Sequence, residues 1–225
     1  METSLIAILV SIGLILLSAI IGGVIFLKKG KKENTVFLVG LSGSGKTALF
    51  YYLIAKQNTP TITSHEYDIV KSNKRMHLVD LPGHPRIRTE VMNRLKEATG
   101  IIFTIDSETV LKNMSDIANF LYDILSDTTI IQNKVPFLIL ATKSDIKGSR
   151  DIDLIQQDLE KELDFIRSNR FTANYVEHGE SEQLFLGEEG KEFTFAQLTN
   201  SVSFQTCSVI HKDIISVTTF LNSLF

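Results

Sequence analysis

A chain of 225 residues, 44% hydrophobic and 22% charged, is too apolar to stay disordered and long enough to bury a core. Its 23 basic and 26 acidic side chains leave a formal net charge of -3, so nothing draws it at long range towards nucleic acid, and no direct nucleic-acid partner is expected. The single cysteine, Cys207, excludes an internal disulfide, and five scattered histidines supply no zinc-ligand spacing beside it.

The charge is unevenly placed. Residues 4–27 carry none, and Lys28, Lys29, Lys31 and Lys32 come directly after them. As a helix the apolar stretch reaches about 36 Å against a hydrocarbon core of about 30 Å, so it reads as one transmembrane helix, too long for a cleaved signal peptide. The basic flank places the C-terminal side of the span in the cytosol and attracts anionic membrane lipid. Residues 1–32 are therefore expected to be a membrane anchor and 33–225 a separate cytosolic domain.

Beyond the anchor, short apolar runs alternate with amphipathic ones. Residues 35–40, 75–80, 100–106, 136–142 and 202–207 read as strands, and 46–55, 88–98, 114–125, 153–167 and 213–225 as helices. Residues 67–71 read as an extra strand, joined through Ser72-Asn73 to the next and making one edge antiparallel. The pattern predicts an α/β doubly wound fold with a mostly parallel six-stranded sheet. Residues 168–195 keep no sustained period and read as an exposed insertion, partly disordered, with Glu177, Glu180, Glu182, Glu188 and Glu189 forming a solvated surface.

Gly40-Leu41-Ser42-Gly43-Ser44-Gly45-Lys46-Thr47 fits G-x-x-x-x-G-K-[ST] and sits between a predicted strand and a predicted helix, with Ala48 next in that helix. Glycines let the backbone N–H groups close on phosphate oxygens, Lys46 neutralises the β and γ oxygens, and the Thr47 hydroxyl is a Mg²⁺ ligand. Asp80, ending the strand 75–80, is a second metal candidate, and Gly83 offers its N–H to a γ-phosphate. Thr142-Lys143-Ser144-Asp145 closes the strand 136–142, where a carboxylate accepts from both N1–H and the 2-amino group of guanine while Lys143 lies over the base. Ser208 and Val209, after the last strand, are placed to present a backbone N–H to guanine O6. Thr59 and Thr61 lie between the first helix and the edge strand, with Thr61 the chosen further Mg²⁺ ligand and Thr63 the alternative. The expected ligands are GTP or GDP with Mg²⁺.

GLSGSGKT, PTIT, DLPGH, TKSD and CSV stand in the order seen in small GTPases, and the resemblance spans residues 35–225. The N-terminal apolar span, DLPGH, LIQQDLEKEL and GKEFTFAQL further resemble the family of signal recognition particle receptor beta subunits. The resemblance implies a GTP-binding protein of the endoplasmic reticulum membrane, with its N-terminus lumenal. Its implied partner is the receptor's alpha subunit, bound in the GTP state for cotranslational targeting, with ribosome and translocon as further candidates. Two departures stand out: Thr142 replaces the usual asparagine, which is expected to loosen the base loop, and Ile210 ends what is usually S-A-K.

His84 occupies the position of the usual water-orienting glutamine and is the catalytic candidate. An imidazole there either positions water or only packs in the switch, with intrinsic hydrolysis then very slow. Two alternatives to the targeting receptor stay open: an Arf-like trafficking GTPase, and an adaptor that keeps GTP as a structural ligand.

Overall fold

The computed structural model describes residues 34–55, 66–71, 74–178 and 185–224. The expected anchor, and Thr59, Thr61 and Thr63, lie outside the described residues. Among the described residues no helix is long and apolar enough to cross a membrane.

Strand β1 (Asn34–Val39) is buried from Thr35 onward, because a parallel strand covered on both faces needs an unbroken apolar run. Its neighbours are β3 (Lys74–Asp80) and β4 (Gly100–Asp106), with β5 (Phe137–Thr142) and β6 (Val202–Thr206) further out beyond β4. These five run parallel. The sixth strand, β2 (Glu66–Lys71), lies antiparallel on β3, as expected for the edge. The order β2-β3-β1-β4-β5-β6 reverses direction at β1, which opens a crevice at the carboxyl ends of β1, β3 and β4. The register sets Leu38 beside Asp80 and Asp106 beside Thr142, so the residues of interest line one rim of the sheet.

Alternation along the strands builds two cores. Val36, Leu38, Leu78, Ile102 and Leu140 face one way, under α1 (Lys46–Ala55) and the last helix, which runs Ile215–Ser223. Phe37, Val39, Phe103, Ile105 and Ile139 face the other way, under α2 (Arg88–Leu95), α3 (Met114–Leu125) and α5 (Ile152–His178). The short α4 (Thr128–Gln132) was not expected; Asp127 caps it, accepting the N–H groups of Thr129 and Ile130. The last helix is α6.

The expected insertion is corrected in part; Glu180, Glu182 and the Glu177 side chain lie outside the described residues. Helix α5 continues to His178, eleven residues past the predicted end at 167. Leu186, Phe193 and Phe195 then return to the core, and Phe195 meets Phe193 and Phe204 edge-on at 5.3 and 4.9 Å. Arg167, 3% exposed, holds this return by donating to the carbonyls of Leu186, Glu188 and Lys191 and to Asp164. The Asp164 carboxylate also accepts the Phe193 N–H. Buried aromatics on irregular backbone have no period, so their pattern resembles a loop. Glu188 and Glu189 are exposed, as expected, and Glu188 pairs with Lys191 at 2.5 Å.

Candidate functional site

The loop from β1 to α1 turns on Gly40, Gly43 and Gly45, at φ 146, 82 and 81°. A Cβ on Gly40 would meet the Thr104 carbonyl at 2.3 Å, so the first glycine also lets the loop pass β4. Inside the loop, Lys46 is 6% exposed and its Nζ donates to the carbonyls of Gly40 (2.9 Å) and Leu41 (2.7 Å) and to Ser44 Oγ (3.3 Å). Burial lowers its pKa from 10.5, opposed by the charge of Asp80. Ser44 is fixed through its hydroxyl to Thr104 Oγ1 at 2.7 Å. Ser42 and Gly43 are exposed on the rim, and Thr47 and Ala48 stand exposed in the first turn of α1, where helix N–H groups lack intrahelical acceptors.

The expected metal pair comes together: Thr47 Oγ1 donates to Asp80 Oδ2 at 2.7 Å. A hydroxyl and a carboxylate side by side suit Mg²⁺, which takes few protein oxygens and fills its remaining positions with water and phosphate. Gly83 lies hard against the phosphate loop, since a Cβ there would stand 2.3 Å from the Gly40 carbonyl and 2.7 Å from the Ser42 nitrogen. His84 is exposed and caps a single 3-10 turn (Pro85–Ile87), its Nδ1 accepting the Arg86 N–H at 3.2 Å.

Next to the loop is a cavity of about 220 Å³ lined by Gly45, Ala48, Thr142, Lys143, Asp145, Ile146, Val209 and Ile210. Thr142, 2% exposed, donates its hydroxyl to the carbonyls of Ser44 (2.9 Å) and Ile105 (3.1 Å). This corrects the expectation of a loosened base loop, because the hydroxyl ties that loop to the phosphate loop. Asp145 Oδ1 accepts from Ser208 Oγ at 2.6 Å, which holds the carboxyl below its usual range. Four acceptor sites on a carboxylate leave room for further donors. The N–H of Ser208 goes to the Asp213 carbonyl at 3.0 Å, so Ser208 serves the site through its hydroxyl, and it is Val209 that borders the cavity. Cys207 is buried, its thiol pushed up to about 12 by burial, as suits a small hydrophobe. Sequence reading missed Thr104, Asp106 and Ser107 at the end of β4; polar residues on either side of Ile105, closing an otherwise apolar strand, are their only local signal.

Comparison with known proteins bears on this geometry. The family profile described as "Signal recognition particle receptor beta subunit" matches residues 31–202. A signal recognition particle receptor subunit beta from Rattus norvegicus is 35% identical over 92% of this chain and 80% of its own length. One from Homo sapiens is 34% identical over 92% and 79%. The solved mammalian SRP receptor superposes with a TM-score of 0.72 at 34% identity, over 85% of this chain and 100% of that one. Sequence and fold agree across most of the chain, which belongs to the signal recognition particle receptor beta subunit family.

Proposed function

We propose that this chain binds GTP and GDP with Mg²⁺ and serves as the membrane-anchored beta subunit of a signal recognition particle receptor, holding the alpha subunit at the endoplasmic reticulum when GTP is bound. The observation that carries the reading is that the phosphate loop, the Thr47–Asp80 pair and the Asp145 cavity share one rim of the sheet. In this reading the residues 40–48 wrap the phosphates, and Lys46 exchanges carbonyl oxygens for phosphate oxygens. Thr47 and Asp80 hold Mg²⁺, with Thr61 joining them; bound Mg²⁺ neutralises phosphate charge. Gly83 offers its N–H to the γ-phosphate, Asp145 takes the two guanine donors, Lys143 covers the base, and Val209 borders it.

The phosphate loop around Lys46 and the cavity beside Asp145 support the nucleotide, and the word subunit in the relatives' names supports a partner chain. The alpha-subunit claim is tested with full-length protein in detergent, loaded with GTP or GDP and mixed with the alpha subunit. Recovery with GTP alone is expected, and equal recovery with GDP would contradict a GTP-gated complex. Protease added to sealed microsomes is expected to remove the domain, which tests a cytosolic domain behind a lumenal N-terminus.

One observation favours a slow or absent intrinsic hydrolysis. With His84 Nδ1 accepting from Arg86, the neutral ring carries its proton on Nε2, so it can donate to a water but has no free nitrogen to take a proton. His84→Ala should then slow single-turnover loss of γ-phosphate by less than the about 10²-fold or more that a catalytic base accounts for.

A further inference from the structure

At its carboxyl end β4 turns through Asp106 and Ser107, and both grip the loop after β5. Ser107, 1% exposed, donates its N–H (3.2 Å) and its hydroxyl (2.6 Å) to the Thr142 carbonyl. From the other side, Ser144 donates its N–H (3.3 Å) and hydroxyl (3.0 Å) to the Cys207 carbonyl. Lys143, between them, sits at φ 58°, a left-handed conformation that a side chain with a Cβ adopts only when its surroundings impose it. Its backbone is thus fixed from both neighbours, and its side chain is aimed by a separate contact: Nζ to Asp106 Oδ2 at 2.7 Å.

The Asp106 side chain is only 12% exposed, so the pair is partly shielded from water. The same carboxylate accepts the Glu108 N–H and the Thr109 hydroxyl, both at 3.0 Å. Burial alone would raise its pKa, but the hydrogen bonds from Lys143, Glu108 and Thr109 bring it below the usual carboxylate value. Asp106 is therefore charged at neutral pH and available to hold a cation. Lys143 borders the cavity that Asp145 closes, so the direction of its stem decides the wall that a flat ring would meet.

We infer that Asp106 is a positioning residue for nucleotide binding, acting through Lys143 to set the wall of the base cavity. The inference rests on the reading of that cavity as a guanine site. A purely local role is the competing account, since Glu108 and Thr109 lead into the 3-10 turn Val110–Asn113.

The test measures the dissociation of a fluorescent GDP from full-length protein in detergent. Asp106→Asn keeps one acceptor oxygen for the Glu108 N–H and places an amide NH2, which the Thr109 hydroxyl can accept, where Oδ2 stood; it removes the charge facing Lys143 and is expected to speed release roughly tenfold, the scale of a hydrogen bond to a charged group. Lys143→Met is expected to speed release as well. The double variant should then be no faster than Lys143→Met alone, because the lost interaction is the same one. Multiplying effects in the double variant would overturn the inference, as would an unchanged rate in Asp106→Asn. Thr109→Val disturbs the turn and spares the ion pair, so it should leave release unchanged; release about tenfold faster than wild type would place the effect in the turn and overturn the inference even if Asp106→Asn does not fold. If wild-type protein binds no guanine nucleotide, the site reading fails with it; if wild type binds and only the cycle fails, that reading stands.

Discussion

Lys46 carries its charge into the protein with three oxygens of its own loop as partners, and a nucleotide's phosphates would have to replace them. Burial lowers the pKa of the free protein's Lys46 from 10.5, and phosphate oxygens would raise it again. The sign comes from linkage: as pH climbs towards 10.5 the free protein gives up this proton first, so binding takes one up and affinity falls. Calorimetry at about pH 9.5 in two buffers of different ionisation heat should show proton uptake on GDP binding. Thr142 makes a separate, structural prediction. Thr142→Val keeps the shape but strips the buried Ser44 and Ile105 carbonyls of a donor, at a cost of about 1–3 kcal/mol in urea unfolding. The phosphate loop and the T-K-S-D run were legible because each is a local string with its own chemistry. The Ser208–Asp145 and Asp106–Lys143 contacts were not, since their partners lie 63 and 37 residues apart and only folding brings them together.

Among the elements, α3 was the plainest in sequence, its apolar stripe of Ile117, Leu121 and Ile124 repeating at helical spacing and packing under the sheet. Strands β1, β4 and β5 were equally plain as unbroken apolar runs. The return after α5 was hidden in the sequence because a single buried arginine, with no periodicity, organises it. Arg167→Met should therefore leave the sheet intact and release the segment 185–195. Limited proteolysis should find new cuts there, with a stability loss of about 1–3 kcal/mol and no change in GDP release. Faster GDP release in this variant would mean that the segment is coupled to the site.

In the whole domain, the strand order places the sequence motifs. Because β3 and β4 flank β1, three strand ends and one helix start converge, and residues 33 or more positions apart, such as Thr47 and Asp80, become neighbours. The alternation of strand and helix predicted this class of fold, and the antiparallel edge was readable from the turn-forming residue types Ser72-Asn73 in the sequence. Membrane attachment is proposed from residues 4–27 and the four lysines after them. Salt extraction should leave the full-length protein on membranes, as it removes proteins held by lysine and lipid charge but not by a spanning helix.

The central claim is that the cavity beside Asp145 reads guanine, and base exchange tests it most directly. Affinities of full-length protein for GTP, ATP and xanthosine triphosphate should be measured for wild type and for Asp145→Asn. Xanthine carries a carbonyl where guanine has its 2-amino group, so an amide that accepts from N1–H and donates to that carbonyl fits it, whereas a carboxylate does not. Wild type is expected to prefer GTP to ATP by about 10⁴-fold or more, and Asp145→Asn to prefer xanthosine triphosphate to GTP. Equal binding of ATP and GTP, or an unchanged preference in Asp145→Asn, would contradict the account.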